Sequence, residues 1–219
     1  MASMAQTDLV ARRYQSEGDP VVIVYPPATL GPHDPHLGDQ IVRVRNTLQG
    51  RIPVWPRGGI SITDVRDVAD LLTAAVEPGF GASRCAPPAT FVTTGEYVGT
   101  LRRITGRRLP VVYGPNAALL PLGRLVSAVQ RWVPWHIPAE YGAIYACHCQ
   151  PRFLPEVLTR LPGARTFEET MTDSVRWLHA QGQLSARQAG AAVAVRREEP
   201  PAGTGRKASA AAPPVPAAR

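Results

Sequence analysis

The 219-residue sequence predicts an α/β fold, and within that class the later part of a larger parallel-sheet domain. Three observations predict it. The run Val21-Val22-Ile23-Val24-Tyr25 is continuously apolar and passes straight into a loop rich in Pro and Gly. Such a strand belongs inside a parallel sheet covered on both faces. Only about one helix precedes it, and one helix cannot supply the neighbouring strands. Behind it, helical and strand-like segments alternate for most of the remaining length, as an α/β domain requires.

The elements follow in order. Residues 7–17 read as a helix stopped by Gly18. Residues 21–25 form the buried strand, and residues 31–38 a loop holding Pro32, His33, Asp34, Pro35 and His36. A short helix spans residues 39–48, a turn residues 55–59 and a short strand residues 59–63. In residues 65–77, Val68, Leu71, Leu72 and Ala75 share one face at helical spacing. Asp64 and Asp67 sit in that helix's first turn, where carboxylates favour the dipole. Residues 89–92 are a short strand. Thr93-Thr94-Gly95-Glu96 is a capping box that opens a helix to Thr105, with Gly106 as its stop. Residues 109–113 are a further strand, and Leu119, Leu122, Val126, Val129 and Val133 form a helical stripe. Thr166-Phe167-Glu168-Glu169 is a second capping box, opening a helix that Gly182 ends; residues 185–195 make a weak last helix. Residues 1–195 therefore make up the domain. Residues 196–219 are rich in Ala, Pro and charge, bury too little to offset their ordering entropy, and are expected to be disordered.

Composition narrows the function. The formal charge is +7, but five basic and two acidic residues from Arg196 onward place +3 of it in the tail. No zinc-finger, RNP or basic-zipper pattern accompanies the charge, so nucleic acid is not an expected partner. No run of apolar residues is long enough to span a membrane, and there is no leader pattern; a cytoplasmic, soluble protein is expected. Cys85, Cys147 and Cys149 do not make a disulfide scaffold in a chain of this length. Cys147-His148-Cys149 is one tight cluster without a second ligand pair, so no metal site is assigned. The basic cluster Arg102, Arg103, Arg107 and Arg108 suits a helix C-terminus facing solvent better than a phosphate site. Asp64, Arg66 and Asp67 read as helix capping rather than a charge network. The stripe at 119–133, with Trp132 and Trp135 beside it, reads as packing rather than membrane contact.

Several motifs in one order carry a resemblance. Tyr25-Pro26-Pro27 runs to Gly31-Pro32-His33-Asp34, and Ile62-Thr63-Asp64-Val65-Arg66-Asp67-Val68-Ala69 follows. Pro151-Arg152-Phe153, Thr166-Phe167-Glu168-Glu169-Thr170 and Arg176-Trp177-Leu178 close the series. Over residues 3–184 the sequence resembles the extended short-chain dehydrogenase/reductase family, and within it the NAD-dependent epimerase/dehydratase group with its dihydroflavonol-reductase-like relatives.

The resemblance implies a Rossmann-type parallel sheet with a small α/β substrate domain, and an NAD or NADP cofactor. It also implies hydride exchange with an alcohol, ketone or sugar-nucleotide-like substrate. By resemblance, Pro26, Pro27, Ala28 and Thr29 face the nicotinamide and His33 lies near the substrate. Two family elements find no match. Gly79-x-Gly81 and Gly203-x-Gly205 lack the strand–turn–helix context of a pyrophosphate cradle. Met4 falls where the Lys of the family's Tyr-x-x-x-Lys pair belongs, and a thioether neither carries charge nor donates a hydrogen bond. Lys207, the only lysine, lies in the tail. No catalytic residue is assigned. The chain reads as an N-terminally truncated relative, inactive by itself; the alternative is a non-enzymatic binding or assembly module, as a homo-oligomer or with a partner that completes the sheet.

Overall fold

The computed structural model describes residues 2–115, 119, 121, 147 and 164–194. Helix α1 (Ala2–Ser16) leads into β1 (Val22–Val24) and β2 (Ala28–Leu30). Then come α2 (Asp39–Leu48), β3 (Val54–Pro56), β4 (Gly59–Asp64), α3 (Val65–Ala75), β5 (Ser83–Cys85) and β6 (Thr90–Thr93). Next are α4 (Thr94–Thr105), β7 (Val112–Gly114), α5 (Phe167–Ala180), α6 (Ala186–Ala189) and α7 (Ala191–Ala194).

The strands form three small sheets. β1 pairs in parallel with β5, Val22 facing Ser83 and Val24 facing Cys85. β4 is central in a mixed sheet, parallel to β2 and antiparallel to β6. β3 pairs in parallel with β7. The expected α/β class with parallel, crossover-connected strands is what the chain adopts. The core lies among the helices α2, α4 and α5 and the β2–β4–β6 sheet, where Leu30, Val44, Leu48, Leu101, Met171 and Leu178 are sealed from solvent. Each such side chain contributes roughly 1.5–3 kcal/mol of transfer free energy.

Local sequence explains most boundaries. The Thr93 hydroxyl accepts from the Glu96 amide while the Glu96 carboxylate takes the Thr93 amide, and Gly106 closes α4 at φ +66°. The Thr166–Glu169 box repeats this on α5. A third box, Ser185 with Gln188, opens α6. Thr93→Ala is expected to cost about 1 kcal/mol of stability in urea unfolding, because it leaves the first turn of α4 short of an acceptor.

Several expectations are corrected. The strand at 21–25 is half-buried rather than buried, because β5 is its one paired neighbour among the described residues. Residues 28–30, given no element, form β2, and Trp55 and Pro56 from the expected turn at 55–59 belong to β3; each takes its hydrogen bonds from a strand distant in sequence. In α3 Leu71 is buried, but Leu72 is 49% exposed while Asp67 is buried. The last helix is two short ones, split at Gly190. The tail, Pro151-Arg152-Phe153, His148, Cys149, Trp132, Trp135 and most of the 119–133 stripe lie outside the described residues.

α1 is sparsely packed. None of its described side chains is buried, and Met4, Leu9, Val10 and Tyr14 are exposed. It is tied to the β1–β5 pair by the Gln15 amide, which donates to Val21 O at 2.7 Å and Ser83 O at 3.1 Å.

Candidate functional site

Tyr25, Pro26 and Pro27 connect the C-terminal end of β1 to β2, and so carry the chain from one sheet to another. Loops outside the C-terminal ends of parallel strands are where open α/β sheets bind ligands. Pro26 is exposed, while Pro27, Ala28 and Thr29 are half-buried. Thr29 Oγ1 donates to Pro27 O at 3.2 Å, which tightens the bend. Beyond β2, Gly31 lies against Val65, leaving no space for a side chain. Asp34 then organises the loop, its carboxylate accepting from the His36 amide at 3.2 Å and the Gly38 amide at 2.7 Å. His33 is exposed in left-handed backbone, φ +65°.

One group of residues that sequence reasoning missed sits beside this bend. The Tyr25 hydroxyl donates to Asp8 Oδ1 at 2.5 Å, and Arg12 Nε holds Asp8 Oδ2 at 2.8 Å. The Tyr25 bond holds the Asp8 carboxyl below its usual range despite some desolvation, with Arg12 adding to the effect. Burial, then the Asp8 bond, pushes the Tyr25 phenol up. A phenol shifted that way is a poor proton donor or acceptor near neutrality, so Tyr25 anchors α1 to the bend rather than exchanging protons. The Asp8–Arg12 spacing was visible as an i,i+4 ion pair; its distant partner Tyr25 was not.

The charges at α3 are a network as well as a cap. Asp64 caps the helix through the Arg66 amide at 2.8 Å. Its carboxylate also takes Arg66 Nε at 2.9 Å and Nη2 at 2.7 Å, and the Thr170 hydroxyl at 2.7 Å. Arg66 Nη1 reaches Asp173 at 2.8 Å, so α3 is riveted to α5. Arg165 joins Asp67 and Asp70 in the same way. The arginines of α4 are staples too: Arg102 donates to Leu109 O, Arg103 pairs with Glu168 at 2.6 Å, and Arg107 donates to Leu48 O and Gln188 O. Arg102, Arg103 and Arg108 are exposed as expected, and Arg107 is half-buried.

Gly79 and Gly81 have positive φ and open space where a Cβ would stand, so they form a turn before β5 rather than a surface of close approach. No group of three or more His, Cys, Asp or Glu suited to a metal occurs among the described residues. No helix among them is long and apolar enough to cross a membrane.

No protein-family model matches the sequence, and no curated protein matches it. Solved structures do match. gox2253 superposes with a TM-score of 0.58 at 18% identity, over 81% of this chain and 55% of that one. A nucleoside-diphosphate-sugar epimerase from Pseudomonas aeruginosa gives 0.56 at 16% identity, over 82% and 54%. The chain shares the fold of these structures over the part that superposes. A UDP-N-acetylglucosamine 4-epimerase from Methanobrevibacter ruminantium M1, solved with UDP-N-acetylmuramic acid, gives 0.52 at 16% identity, over 82% and 53%. The chain thus spans little more than half the length of each of these structures.

Proposed function

We propose that this chain is the substrate-side portion of an NAD(P)-dependent epimerase or dehydrogenase of the extended short-chain type. In this reading Pro26, Pro27, Ala28 and Thr29 form the wall facing the nicotinamide, and His33 borders the substrate. The substrate class is a nucleotide sugar or a related alcohol or ketone, and the compartment is the cytoplasm. The observation that carries the reading is the bend itself: it leaves a parallel strand at its C-terminal end and bridges to the β2–β4–β6 sheet. When bound, the dinucleotide supplies the hydride; this chain's residues bound the pocket and orient its contents.

The chain by itself does not turn over. Residues 1–219 offer Met4 where the family's Lys would stand, and their one lysine is Lys207. Purified chain incubated with NAD+ and UDP-glucose is expected to give no epimer and no NADH. Turnover would overturn the assignment of no proton-transfer pair. Ala28→Trp is expected to diminish any NADH fluorescence enhancement shown by the parent chain; an undiminished enhancement would remove the proposed wall.

A second reading, a non-enzymatic assembly module, has its own support in α1. A helix with no buried side chain among those described and four exposed large apolar ones is tied by Gln15 to the β1–β5 pair. Parallel sheets are ordinarily covered and extended. Light scattering separates the two readings: a monomer at all concentrations removes self-assembly.

A further inference from the structure

Helix α1 turns a polar side inward. Its half-buried positions Asp8, Ala11 and Gln15 share one face at helical spacing, and they present two polar side chains and a methyl group. Leu9, Val10 and Tyr14 stay exposed. The partners across that face are polar as well. Asp8 accepts from the Tyr25 hydroxyl, which in turn accepts from Arg12 Nη2 at 3.5 Å, and the Gln15 amide donates to Val21 O and Ser83 O.

Helix α5 is the contrast. Met171, Val175 and Leu178 are fully buried, so pulling α5 away would expose core to water. Pulling α1 away exchanges hydrogen bonds to protein for hydrogen bonds to water, and the net strength of such bonds is small. The connector permits the movement. Residues 17–20 are exposed, and Gly18, at φ +97°, has nothing near its missing Cβ, so the chain can swing there without a collision. Beyond β1, the Tyr25 amide donates to Cys85 O at 2.9 Å, a backbone bond that holds the strand end whether or not α1 is docked. A helix of 15 residues is marginal in water by itself, so α1 melts once released.

We infer that α1 is a releasable latch: hinged at Gly18 and closed by the Tyr25–Asp8 bond, it opens and melts while the rest of the fold stays intact, and its opening frees the Tyr25 side chain at the start of the Pro26–Thr29 bend. Tyr25 is the positioning residue of this latch. The inference goes beyond the proposed function and does not need it, because opening is measured without dinucleotide. Its consequence for the nicotinamide wall, that a freed Tyr25 loosens the residue preceding Pro26, does rest on that reading.

The test is native-state hydrogen exchange of the full chain, read by mass spectrometry at several low urea concentrations. The α1 amides are expected to exchange at least about 100-fold faster than those of Val175 and Leu178, at rates that urea hardly changes, because a local opening exposes little surface. Tyr25→Phe keeps the ring and removes the hydroxyl. It is expected to speed α1 exchange by about 3–10-fold and to leave α5 exchange unchanged. Trypsin cleavage after Arg12 and Arg13 should rise by the same factor, since cleavage tracks the open population when opening is fast. Gln15→Ala should also speed α1 exchange, although alanine is the better helix former, so the gain reports the lost tie and not a weaker helix. Three results would each overturn the latch: α1 amides that share the rates and urea slope of α5, a Tyr25→Phe variant with parental α1 exchange, or one that speeds α1 and α5 equally. The last would make Tyr25 a support of the whole fold.

Discussion

Gly190→Ala is expected to destabilise the protein by roughly 3 kcal/mol or more, enough to remove much of a domain's net stability. Gly190 sits between α6 and α7 at φ +56° and ψ −137°, backbone that an L side chain rarely adopts. A Cβ there would fall on the carbonyl oxygen of Thr105, closer than 3.0 Å. That oxygen is backbone at the end of α4 and cannot swing aside as a side chain would. Moving it means moving α4, whose Leu101 and Val98 are fully buried. Urea unfolding of Gly190→Ala should therefore show a lower midpoint at an unchanged slope. Gly182→Ala is the control: it shares a positive φ, +69°, but has nothing near its missing Cβ, so it carries the backbone strain without the collision.

Asp64→Ala is expected to cost about 3 kcal/mol, the scale for removing one partner of a buried ion pair. The Asp64 carboxylate is fully covered, while the Arg66 side chain remains 33% exposed, which keeps the loss at the lower end of that scale. Truncation leaves Arg66 Nε and Nη2 without their acceptor, leaves the Thr170 hydroxyl only Thr166 O, and strips the cap from α3. The same carboxylate gives the protein an acid limit. Burial alone would raise its pKa, but the bonds from Arg66 and Thr170 outweigh burial and hold it below the ordinary aspartate value of 3.8. A carboxyl depressed in the folded state contributes stability above its unfolded pKa and loses it as pH falls through the folded one. Stability should thus be insensitive to this group near neutrality and fall below about pH 4; Asp64→Asn should flatten that part of the profile.

How far the sequence was legible depended on the range of the interactions. The capping boxes at Thr93 and Thr166 and the Gly106 stop were read correctly because every group in them lies within a few residues. β2 and β3 were missed because three-residue strands carry no period of their own; they exist because Ile62 to Asp64 and Val112 to Gly114 stand beside them. The arginine cluster was read as solvent-facing, and Arg102, Arg103 and Arg108 are exposed; the acceptors Glu168, Leu48 O and Gln188 O stayed hidden because they lie more than fifty residues away. The same distance hid the Tyr25–Asp8 anchor, and hid Tyr97, which reads in sequence as one more apolar position on α4.

By itself the sequence determined the α/β class, the helix ends and the order of motifs that links the chain to the epimerase fold. Those follow from local geometry: the helical period, cap chemistry, and the freedom of glycine and stiffness of proline. Only the tertiary structure decided which charges became rivets between helices and which strands found partners. It alone revealed that the Tyr97 hydroxyl is buried without a hydrogen-bond partner. Such outcomes rest on which side chains meet across long stretches of chain, and a hydrogen-bond donor has no environment until the fold brings one to it.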